Sequence, residues 1–154
     1  MEMQGVAMKT VSITRRIRVP AQTAWEIVRT GEGVDRWIPI ITSCRLEGKG
    51  VGAKRVCTIN GQEVTESTET VEEASRLFQY RIHKQSLMPI RNVLGTVHLT
   101  ATGPSETEVL WFANFELDDE QAWPAVKEGF EGMYEAAIKG LEEYAQRGGS
   151  PSSR

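Results

Sequence analysis

The C-terminal part of the chain carries a one-sided apolar pattern that constrains the fold more than any other stretch. Between residues 121 and 146, apolar side chains recur every three or four positions and charged side chains occupy the other positions; the apolar stripe consists of Trp123, Val126, Phe130, Met133, Ala137, Leu141 and Tyr144. The pattern predicts an amphipathic helix of about 25 residues, about 37 Å long at 1.5 Å per residue. A helix this long and one-sided needs a large apolar surface, which the rest of the chain must supply.

Alternating apolar and polar residues predict that this surface is an antiparallel sheet of seven strands, because most of the strands follow one another without an intervening helix. Two short helices, at 21–29 and 34–38, separate the first strand from the second. The predicted fold class is therefore α+β, a curved seven-stranded antiparallel sheet with two short helices and one long C-terminal helix. The predicted strands are residues 9–19, 40–46, 54–59, 62–71, 76–83, 93–100 and 107–116.

Two strands leave a question of orientation. Arg15 is in phase with the apolar face of the first strand, which indicates either a bulge or an arginine that points inward near an opening. The last strand is apolar on both faces. We expect Trp111 and Phe115 to face inward, since Asn114 and Glu116 lie on the opposite face.

Asn60-Gly61 between two strand-like segments predicts a two-residue hairpin turn, which fixes the register of the two strands. In that register Arg55 lies opposite Glu66, on the same face as the apolar residues Cys57, Ile59 and Val64. Burial of an ion pair costs desolvation energy, so the pair either faces a partly wet cavity or forms a salt bridge at the rim that contributes little.

The composition excludes several classes of protein. A chain of 154 residues that is 40% hydrophobic and 25% charged is typical of one soluble globular domain. A net charge of −3 argues against nucleic-acid binding, and no apolar run is long enough to insert stably into a membrane. The first residues lack the apolar core of a signal peptide, so we expect a cytoplasmic protein.

We expect a flexible leader at 1–8, with Met1 or Met8 as the start, one domain at 9–146 and a disordered tail at 147–154. The oligomeric state of the protein, monomer or homodimer, stays open.

No pattern for metal, cofactor or nucleophilic chemistry stands out. His83 and His98 have no partner at metal-ligand spacing, and the glycine-rich loop at 48–52 lacks the residues of a phosphate-binding loop. Cys44 and Cys57 show neither a disulfide framework nor metal spacing and are interpreted as two small apolar side chains. We therefore expect no metal and no cofactor.

The inner face of the predicted sheet and the long helix offer the one large concave site. Its surface is aromatic and sulfur-containing, with Phe115, Phe130 and Met133 among others, and carries only a few polar groups such as Arg55, Glu66 and Thr68. Such a surface forms either a packed core or a pocket for an apolar ligand with one polar end. Glycines in the helix leave space there or permit close backbone packing. We expect the helix to cover the cavity with Phe130, Met133 and Ala137, whereas Leu141 and Tyr144 pack as core.

The order and spacing of several short motifs resemble the START-like (SRPBCC, Bet v 1-like) superfamily over residues 9–146, in particular its bacterial polyketide cyclase/dehydrase-like and MxaD-like branch. The motifs are Pro20-Ala21-Gln22-Thr23-Ala24-Trp25, Trp37-Ile38-Pro39, Val51-Gly52-Ala53-Lys54-Arg55, Glu66, Tyr80-Arg81-Ile82, Met88-Pro89-Ile90-Arg91-Asn92 and Trp111-Phe112-Ala113-Asn114-Phe115.

The resemblance implies a helix-grip fold that encloses a hydrophobic ligand cavity bordered by Trp37, Arg55, Glu66, Tyr80, Asn92 and Trp111. Our leading hypothesis is binding or carriage of a small hydrophobic or amphipathic molecule. A second is a polyketide cyclase or dehydratase with Glu66 or Tyr80 as acid–base group; Ile38, where close relatives often carry histidine, argues against catalysis. A third is an MxaD-like interaction protein that would use Leu94, Leu110 and Phe112 on the outer sheet face.

Overall fold

The computed structural model describes residues 8–149, which form a seven-stranded antiparallel sheet with one long helix and one short helix. This confirms the α+β helix-grip prediction. The strands lie in the order β1-β7-β6-β5-β4-β3-β2, so β1 and β2 are the edges. The elements are β1 Met8–Ile17, α1 Ala21–Val28, a 3-10 turn Val34–Arg36, β2 Ile41–Glu47, β3 Lys54–Ile59, β4 Gln62–Glu72, β5 Leu77–Lys84, β6 Ile90–Gly103, β7 Glu106–Leu117, a second 3-10 turn Glu120–Ala122 and α2 Trp123–Gln146.

The ends of the predicted domain differ slightly from the observed ones. Met8, expected in the leader, already pairs with Glu116 in the β1–β7 ladder. After α2, the amide of Gly148 donates to the carbonyl of Ala145 and that of Gly149 to the carbonyl of Tyr144, so residues 147–149 continue the helix as a hydrogen-bonded turn. The expected leader at 1–7 and tail at 150–154 lie outside the described residues. Within residues 8–149, no helix is long and apolar enough to span a membrane.

The long helix packs its apolar side onto the concave face of the sheet and against α1. Its buried side chains are close to the predicted stripe, but Trp123 and Met133 are only half-buried, and Tyr134, Ile138 and Ala145 are buried in addition to the predicted residues. The difference arises because residues 133 and 134 lie about 100° apart around the helix, on opposite sides of the centre of the apolar stripe, and the pattern alone does not decide which side faces the sheet. The buried residues of α2 are Val126, Phe130, Tyr134, Ala137, Ile138, Leu141, Tyr144 and Ala145.

The predicted register of the β3–β4 hairpin is confirmed: Ile59 pairs with Gln62, Cys57 with Val64 and Arg55 with Glu66. Asn60 adopts a φ of 51° and Gly61 a φ of 76°, as a tight turn with two left-handed central residues requires. The turn chemistry therefore sets which side chains of both strands face α2.

Burial and strand pairing show how the side chains of β7 and of β1 are oriented. In β7, Trp111 and Phe115 are buried, whereas Leu110 and Phe112 are half-buried on the outer face, as expected. In β1 the pairing with β7 is continuous through Arg15, which excludes a bulge. Arg15 is exposed and its guanidinium donates two hydrogen bonds, of 3.0 and 2.9 Å, to the carboxylate of Glu135 on α2. This arginine therefore ties the edge strand to the long helix.

The interpretation of the two cysteines as unlinked apolar side chains is wrong. Cys44 in β2 lies directly opposite Cys57 in β3, and the two form a disulfide across the strand pair. The connection between β2 and β3 is a glycine-containing loop with no defined turn signature, so the spacing of the cysteines did not reveal their register. Disulfides are uncommon in reducing compartments, so the cytoplasmic location stays a prediction.

The glycines of α2 mark close packing rather than empty space between helix and sheet. A β-carbon at Gly140 would lie 3.0 Å from the carbonyl carbon of Trp37 and nearer still to its oxygen. One at Gly129 would meet the terminal methyl of Met88 at 2.8 Å. The hypothesis that these residues open a gap is therefore wrong for both positions. Gly132 has no neighbour within 4 Å of such an atom.

Candidate functional site

A cavity of about 90 Å³ lies between the inner face of the sheet, α2 and the loop that joins β5 to β6. Most of its wall is aliphatic, aromatic or thioether, and its polar side chains are few and grouped. Seven of the residues expected at a ligand site line it, namely Arg55, Glu66, Tyr80, Trp111, Phe130, Met133 and Ala137. The structure therefore brings together residues from β3, β4, β5, β7 and α2 that are far apart in the chain.

Three other expected residues lie behind the wall. Trp37 borders a separate small cavity of about 20 Å³ next to the main one. Phe115 is fully buried and supports the wall from outside by stacking on Phe130, with 5.0 Å between ring centroids. Thr68 is buried in β4 opposite Tyr80. These side chains position the lining residues without bordering the main cavity.

Asn92 lies outside the cavity, contrary to the expectation from the resemblance. Its side chain is exposed and its amide nitrogen donates a hydrogen bond to the carboxylate of Glu116. The physical reason is local: Asn92 has a φ of 54°, and the β6–β7 register shifts between Arg91 and Leu94. This irregularity turns the side chain away from the concave face.

The ion pair of Arg55 and Glu66 is buried in the cavity wall and is not a rim salt bridge. Arg55 Nε donates to Glu66 Oε1 at 2.8 Å, and the two residues are only 8% and 7% exposed. Arg55 Nη1 also donates to the carbonyl of Gly31 at 3.1 Å, and the guanidinium lies 5.4 Å from the centre of the Tyr80 ring. The pair is electrically neutral overall, so the polar end of the cavity carries no net formal charge.

A second polar group of the wall is a pair of buried tyrosines. The hydroxyls of Tyr80 and Tyr134 are 3.2 Å apart, and Trp111 Nε1 donates to the Tyr80 hydroxyl at 3.1 Å. Burial, and then the nearby charge of Glu66, raises the pKa of Tyr80; burial, and then Tyr80 itself, raises the pKa of Tyr134 well above its usual value. Both phenols are therefore neutral hydrogen-bonding groups at ordinary pH, suited to donate a proton in a hydrogen bond rather than to act as bases.

Tyr134 was missed in the sequence. It is 1% exposed and stacks on Trp111 with 5.0 Å between ring centroids. A signal was present, because residue 134 follows Phe130 by four positions and precedes Ala137 by three, which places all three on one face of a helix. The sequence pattern indicates the neighbouring Met133, and both side chains line the cavity.

The loop between β5 and β6 closes one end of the cavity with Leu87 and Met88. Gln85 holds this loop in shape. Its side-chain nitrogen donates to the carbonyls of Met88 and Ile90, and its side-chain oxygen accepts from the amides of Leu87 and Met88, all at 2.8–3.0 Å. The hydroxyl of Ser86 also donates to the side chain of Gln62 at the tip of the β3–β4 hairpin.

The titratable side chains in the lining of the main cavity are Arg55, Glu66, Tyr80 and Tyr134. Among residues 8–149, no three His, Cys, Asp or Glu side chains are grouped so that they could hold a metal ion. His83 is exposed in β5, where its Nε2 is 2.6 Å from the hydroxyl of Ser67, and it does not line the main cavity. Glu66 is the single carboxylate in the lining of the main cavity.

A family model described as polyketide cyclase / dehydrase and lipid transport matches residues 8–146 of the chain. The chain belongs to this family. Membership supports binding of a hydrophobic ligand in general terms, and it agrees with the resemblance seen in the sequence. No match was found among curated protein sequences.

Solved structures of the same fold include bacterial and plant proteins. A protein from Nitrosospira multiformis is 23% identical, with a TM-score of 0.74 over 88% of this chain and 95% of that one. A protein from Thermobifida fusca is 22% identical, with a TM-score of 0.77 over 90% and 93%. Norcoclaurine synthase from Thalictrum flavum is 15% identical, with a TM-score of 0.76 over 94% of each chain. At these identities the likeness extends to the fold alone.

Proposed function

We propose that this member of the polyketide cyclase / dehydrase and lipid transport family binds a small, largely apolar molecule with one polar end in the cavity between the sheet and α2. The observation that carries the proposal is the neutral Arg55–Glu66 pair, buried in a wall that is otherwise almost entirely apolar. A few convergent polar groups on an apolar wall are what orient an amphipathic ligand.

The polar groups of the wall have hydrogen-bonding capacity to spare. Arg55 uses Nε and Nη1, and Glu66 uses Oε1, which leaves Arg55 Nη2 and Glu66 Oε2 without a protein partner among residues 8–149. The two tyrosine hydroxyls share one hydrogen bond, so one of their two protons is also available. A ligand whose polar end both donates and accepts a hydrogen bond satisfies these groups, and the neutral balance of the wall favours an uncharged ligand.

The volume of the cavity limits the ligand. Sites for drug-sized molecules usually measure about 300–1,000 Å³, and this cavity measures about 90 Å³. The ligand is therefore a small one, or its binding displaces the flexible thioether side chains Met88 and Met133 at the wall. Native mass spectrometry of the purified protein, followed by extraction and identification of any bound molecule, tests this directly.

A cavity-filling variant provides the matched test. Ala137 lines the cavity, whereas its neighbour Ala136 does not. Ala137→Leu is expected to abolish binding of an apolar fluorescent probe and to leave the fold intact, because its side chain extends into existing space. Ala136→Leu is expected to bind as the wild type does. Equal binding by both variants would show that the probe binds elsewhere, and the proposal would then be wrong.

An enzymatic role in the same cavity is a second candidate, and the burial of Glu66 favours it. A glutamate on a solvated rim would have excluded this role, but Glu66 is 7% exposed and its Oε2 has no protein partner among the described residues. In this version Glu66 transfers a proton and the neutral Tyr80 stabilises developing charge by hydrogen bonding. Glu66→Gln would then abolish turnover of a cyclisable polyketide substrate and retain its binding.

The interaction-protein hypothesis rests on the outer face of the sheet. Leu94, Leu110 and Phe112 are half-buried there on the neighbouring strands β6 and β7. No feature of the described residues indicates what would cover them, and the hypothesis stays a prediction.

A further inference from the structure

The Cys44–Cys57 disulfide connects the polar end of the main cavity with a second cavity. Cys57 is 1% exposed, and its Sγ lies 4.0 Å from Oε1 of Glu66. Cys44 is half-buried in the edge strand β2. It belongs to the wall of a cavity of about 260 Å³, here called the β2 cavity, which is lined by residues 31–33, 35–36 and 44–46. The disulfide therefore lies against the ligand site on its Cys57 side and is approached from solvent on its Cys44 side.

A second contact joins the β2 cavity to the buried ion pair. The carbonyl of Gly31, a residue of the cavity wall, accepts a hydrogen bond of 3.1 Å from Nη1 of Arg55. Arg55 in turn donates to Glu66 at 2.8 Å. A change in the wall of the β2 cavity therefore reaches both members of the pair, Arg55 through Gly31 and Glu66 through the disulfide.

The β2 cavity suits a small polar molecule with charges of both signs. Its wall contains two carboxylates, Glu32 and Asp35, and two guanidinium groups, Arg36 and Arg45. Amino acids and short peptides carry an ammonium and a carboxylate at neutral pH, and they therefore match such a wall. The volume of the cavity admits a molecule of this size. A molecule of this class that also carries a thiol can react with the disulfide.

The difference in burial directs this reaction to Cys44. In thiol–disulfide exchange a thiolate attacks one sulfur, and the other sulfur leaves with the electron pair of the broken bond. Access favours attack at the half-buried Cys44, so Cys57 is the leaving group. A new S–S bond then joins the incoming thiol to Cys44, the Cys44–Cys57 bond breaks, and the proton of the incoming thiol ends on Cys57. No further oxidant or reductant is needed.

The released Cys57 thiol changes the polar end of the main cavity. Two sulfur atoms that are no longer bonded need more space between them, and the thiol can donate a weak hydrogen bond to Oε1 of Glu66. This donor draws negative charge toward Oε1 and makes Glu66 a weaker acceptor for a ligand. In addition, β2 loses its covalent tie to β3, and Ile41 at the start of β2 lines the main cavity. Both changes weaken ligand binding.

We propose that Cys44 is a site of modification by a small zwitterionic thiol, whose bonding to Cys44 opens the disulfide and weakens ligand binding in the main cavity. The modification site depends on the disulfide and the β2 cavity alone. Its effect on the ligand rests on the proposed function, to which it adds a means of regulation.

Two matched variants test the site with glutathione disulfide as the probe. Cys57→Ser leaves Cys44 as a free thiol, and Cys44→Ser leaves Cys57. In each variant the free thiol takes up one half of the probe and releases reduced glutathione. Mass spectrometry of the folded variants should show that Cys44 reacts at least about tenfold faster than Cys57, because exchange follows exposure. In urea, where both thiols are exposed, the two rates should be equal.

An uncharged probe tests the chemical class. Hydroxyethyl disulfide has the same reactive bond as glutathione disulfide but carries no charge. The rate at which each probe modifies Cys44 in folded Cys57→Ser is divided by its rate in urea, which removes the intrinsic reactivity of the probe. This ratio should be larger for glutathione disulfide, because the charged wall of the β2 cavity binds it before exchange.

The wild-type protein tests the effect on the ligand. Reduced glutathione should add one glutathionyl group, and peptide mapping after an acid quench should locate it on Cys44 and find Cys57 as a free thiol. The affinity for the apolar fluorescent probe should fall about fivefold, the effect of one weakened hydrogen bond, with unchanged circular dichroism. Cys44→Ser/Cys57→Ser is the control, and glutathione should not change its affinity. Should the single variants not fold, peptide mapping of the wild-type protein decides on the site by itself.

Four results would contradict these expectations, each at a different step. Equal rates in the two folded single variants, or a glutathionyl group on Cys57 of the wild-type protein, would overturn the modification site. A larger ratio for hydroxyethyl disulfide would overturn the zwitterionic class. Unchanged probe affinity after modification of Cys44 would overturn the link to ligand binding. If the fluorescent probe does not bind the unmodified protein, the proposed function fails, whereas mass spectrometry still decides on the modification site.

Discussion

Gly95 of β6 lies directly beneath the ring of Tyr80 in the neighbouring strand β5. The two residues are paired in the ladder, and a β-carbon at Gly95 would lie 2.5 Å from the Tyr80 hydroxyl oxygen and from Cε1, and nearer still to Cζ. The tyrosine can lie flat on the sheet only because this position has no side chain. The hydroxyl thereby reaches both Trp111 and Tyr134.

Replacing Gly95 is therefore expected to displace Tyr80. Gly95→Ala should lower the free energy of unfolding by about 1–3 kcal/mol through overpacking, and should disrupt the hydrogen bonds of the Tyr80 hydroxyl. Denaturant unfolding measures the first effect. Gly103→Ala, in the same strand, is the control: its β-carbon would lie 3.8 Å from that of Glu106, an ordinary contact. Equal stability of the two variants would contradict the proposed close contact.

Replacement of two glycines of α2 by alanine should change the free energy of unfolding in opposite directions. Gly132→Ala has open space and should raise the free energy of unfolding by about 1 kcal/mol, the difference in helix propensity. The new methyl group of Gly140→Ala would press against the backbone of Trp37, and this backbone cannot move aside as a flexible side chain does. The variant should therefore lower the free energy of unfolding by about 2 kcal/mol. Thermal or denaturant unfolding of both variants gives the comparison. Stabilisation by both would mean that α2 does not pack closely on Trp37.

The Cys44–Cys57 disulfide should contribute measurably to stability. It closes a short loop, with a sequence separation of 13, and loops of about 15 residues correspond to about 3 kcal/mol in the chain-entropy model. A reductant should therefore lower the free energy of unfolding by about that amount. The double variant Cys44→Ser/Cys57→Ser should have the lower free energy of unfolding without reductant, and reductant should not change it. Labelling of both cysteines by a thiol reagent in the unreduced, unfolded protein would contradict the disulfide.

The buried tyrosines should make the protein sensitive to alkaline pH. Burial raises the pKa of Tyr80 and raises that of Tyr134 well above the usual value of 10.0. Above about pH 10 the unfolded chain therefore loses protons that the folded protein retains, so stability is full below that pH and falls as the pH rises. Each tyrosine contributes a slope of up to about 1.4 kcal/mol per pH unit until it ionises in the folded state.

Variants make this prediction specific. The chain has 3 tyrosines, so in a Tyr144→Phe background the tyrosinate absorbance reports on Tyr80 and Tyr134 alone. It should appear together with the loss of tertiary structure, and adding Tyr134→Phe should make the alkaline loss of stability less steep. Tyrosinate absorbance in a protein that is still folded would show that water reaches the hydroxyls.

The sequence predicted those parts of the site whose geometry local chemistry determines. Asn60-Gly61 admits one kind of turn, so the pairing of Arg55 with Glu66 could be counted outward from it. The sequence also predicted which face of β7 is the concave one, because the opposite face carries polar residues. These predictions depend only on contacts between neighbours in the sequence or across one tight turn.

The remaining parts depend on contacts that no local pattern encodes. The loop between β2 and β3 has no fixed turn type, so the position of Cys44 opposite Cys57 could not be counted. The register shift after Arg91 turned Asn92 outward, and nothing in the alternation of β6 announces it. Tyr134 and Met133 lie on opposite sides of the centre of the apolar stripe, about 100° apart around the helix, and only the tertiary contact with Trp111 shows which of the two is fully buried.

The loop between β5 and β6, which Gln85 holds in shape, suggests how the size preference of the cavity can change in this fold. One side chain satisfies four backbone groups of its own connection, so the segment that carries Leu87 and Met88 keeps its shape largely through bonds within itself. Substitutions at residues 87 and 88 can therefore reshape one end of the cavity while the sheet, α2 and the Arg55–Glu66 pair stay as they are. Under the proposed function, a constant polar anchor is thereby separated from an exchangeable apolar cap, and mutational libraries restricted to these two positions would sample new ligand sizes at little risk to folding.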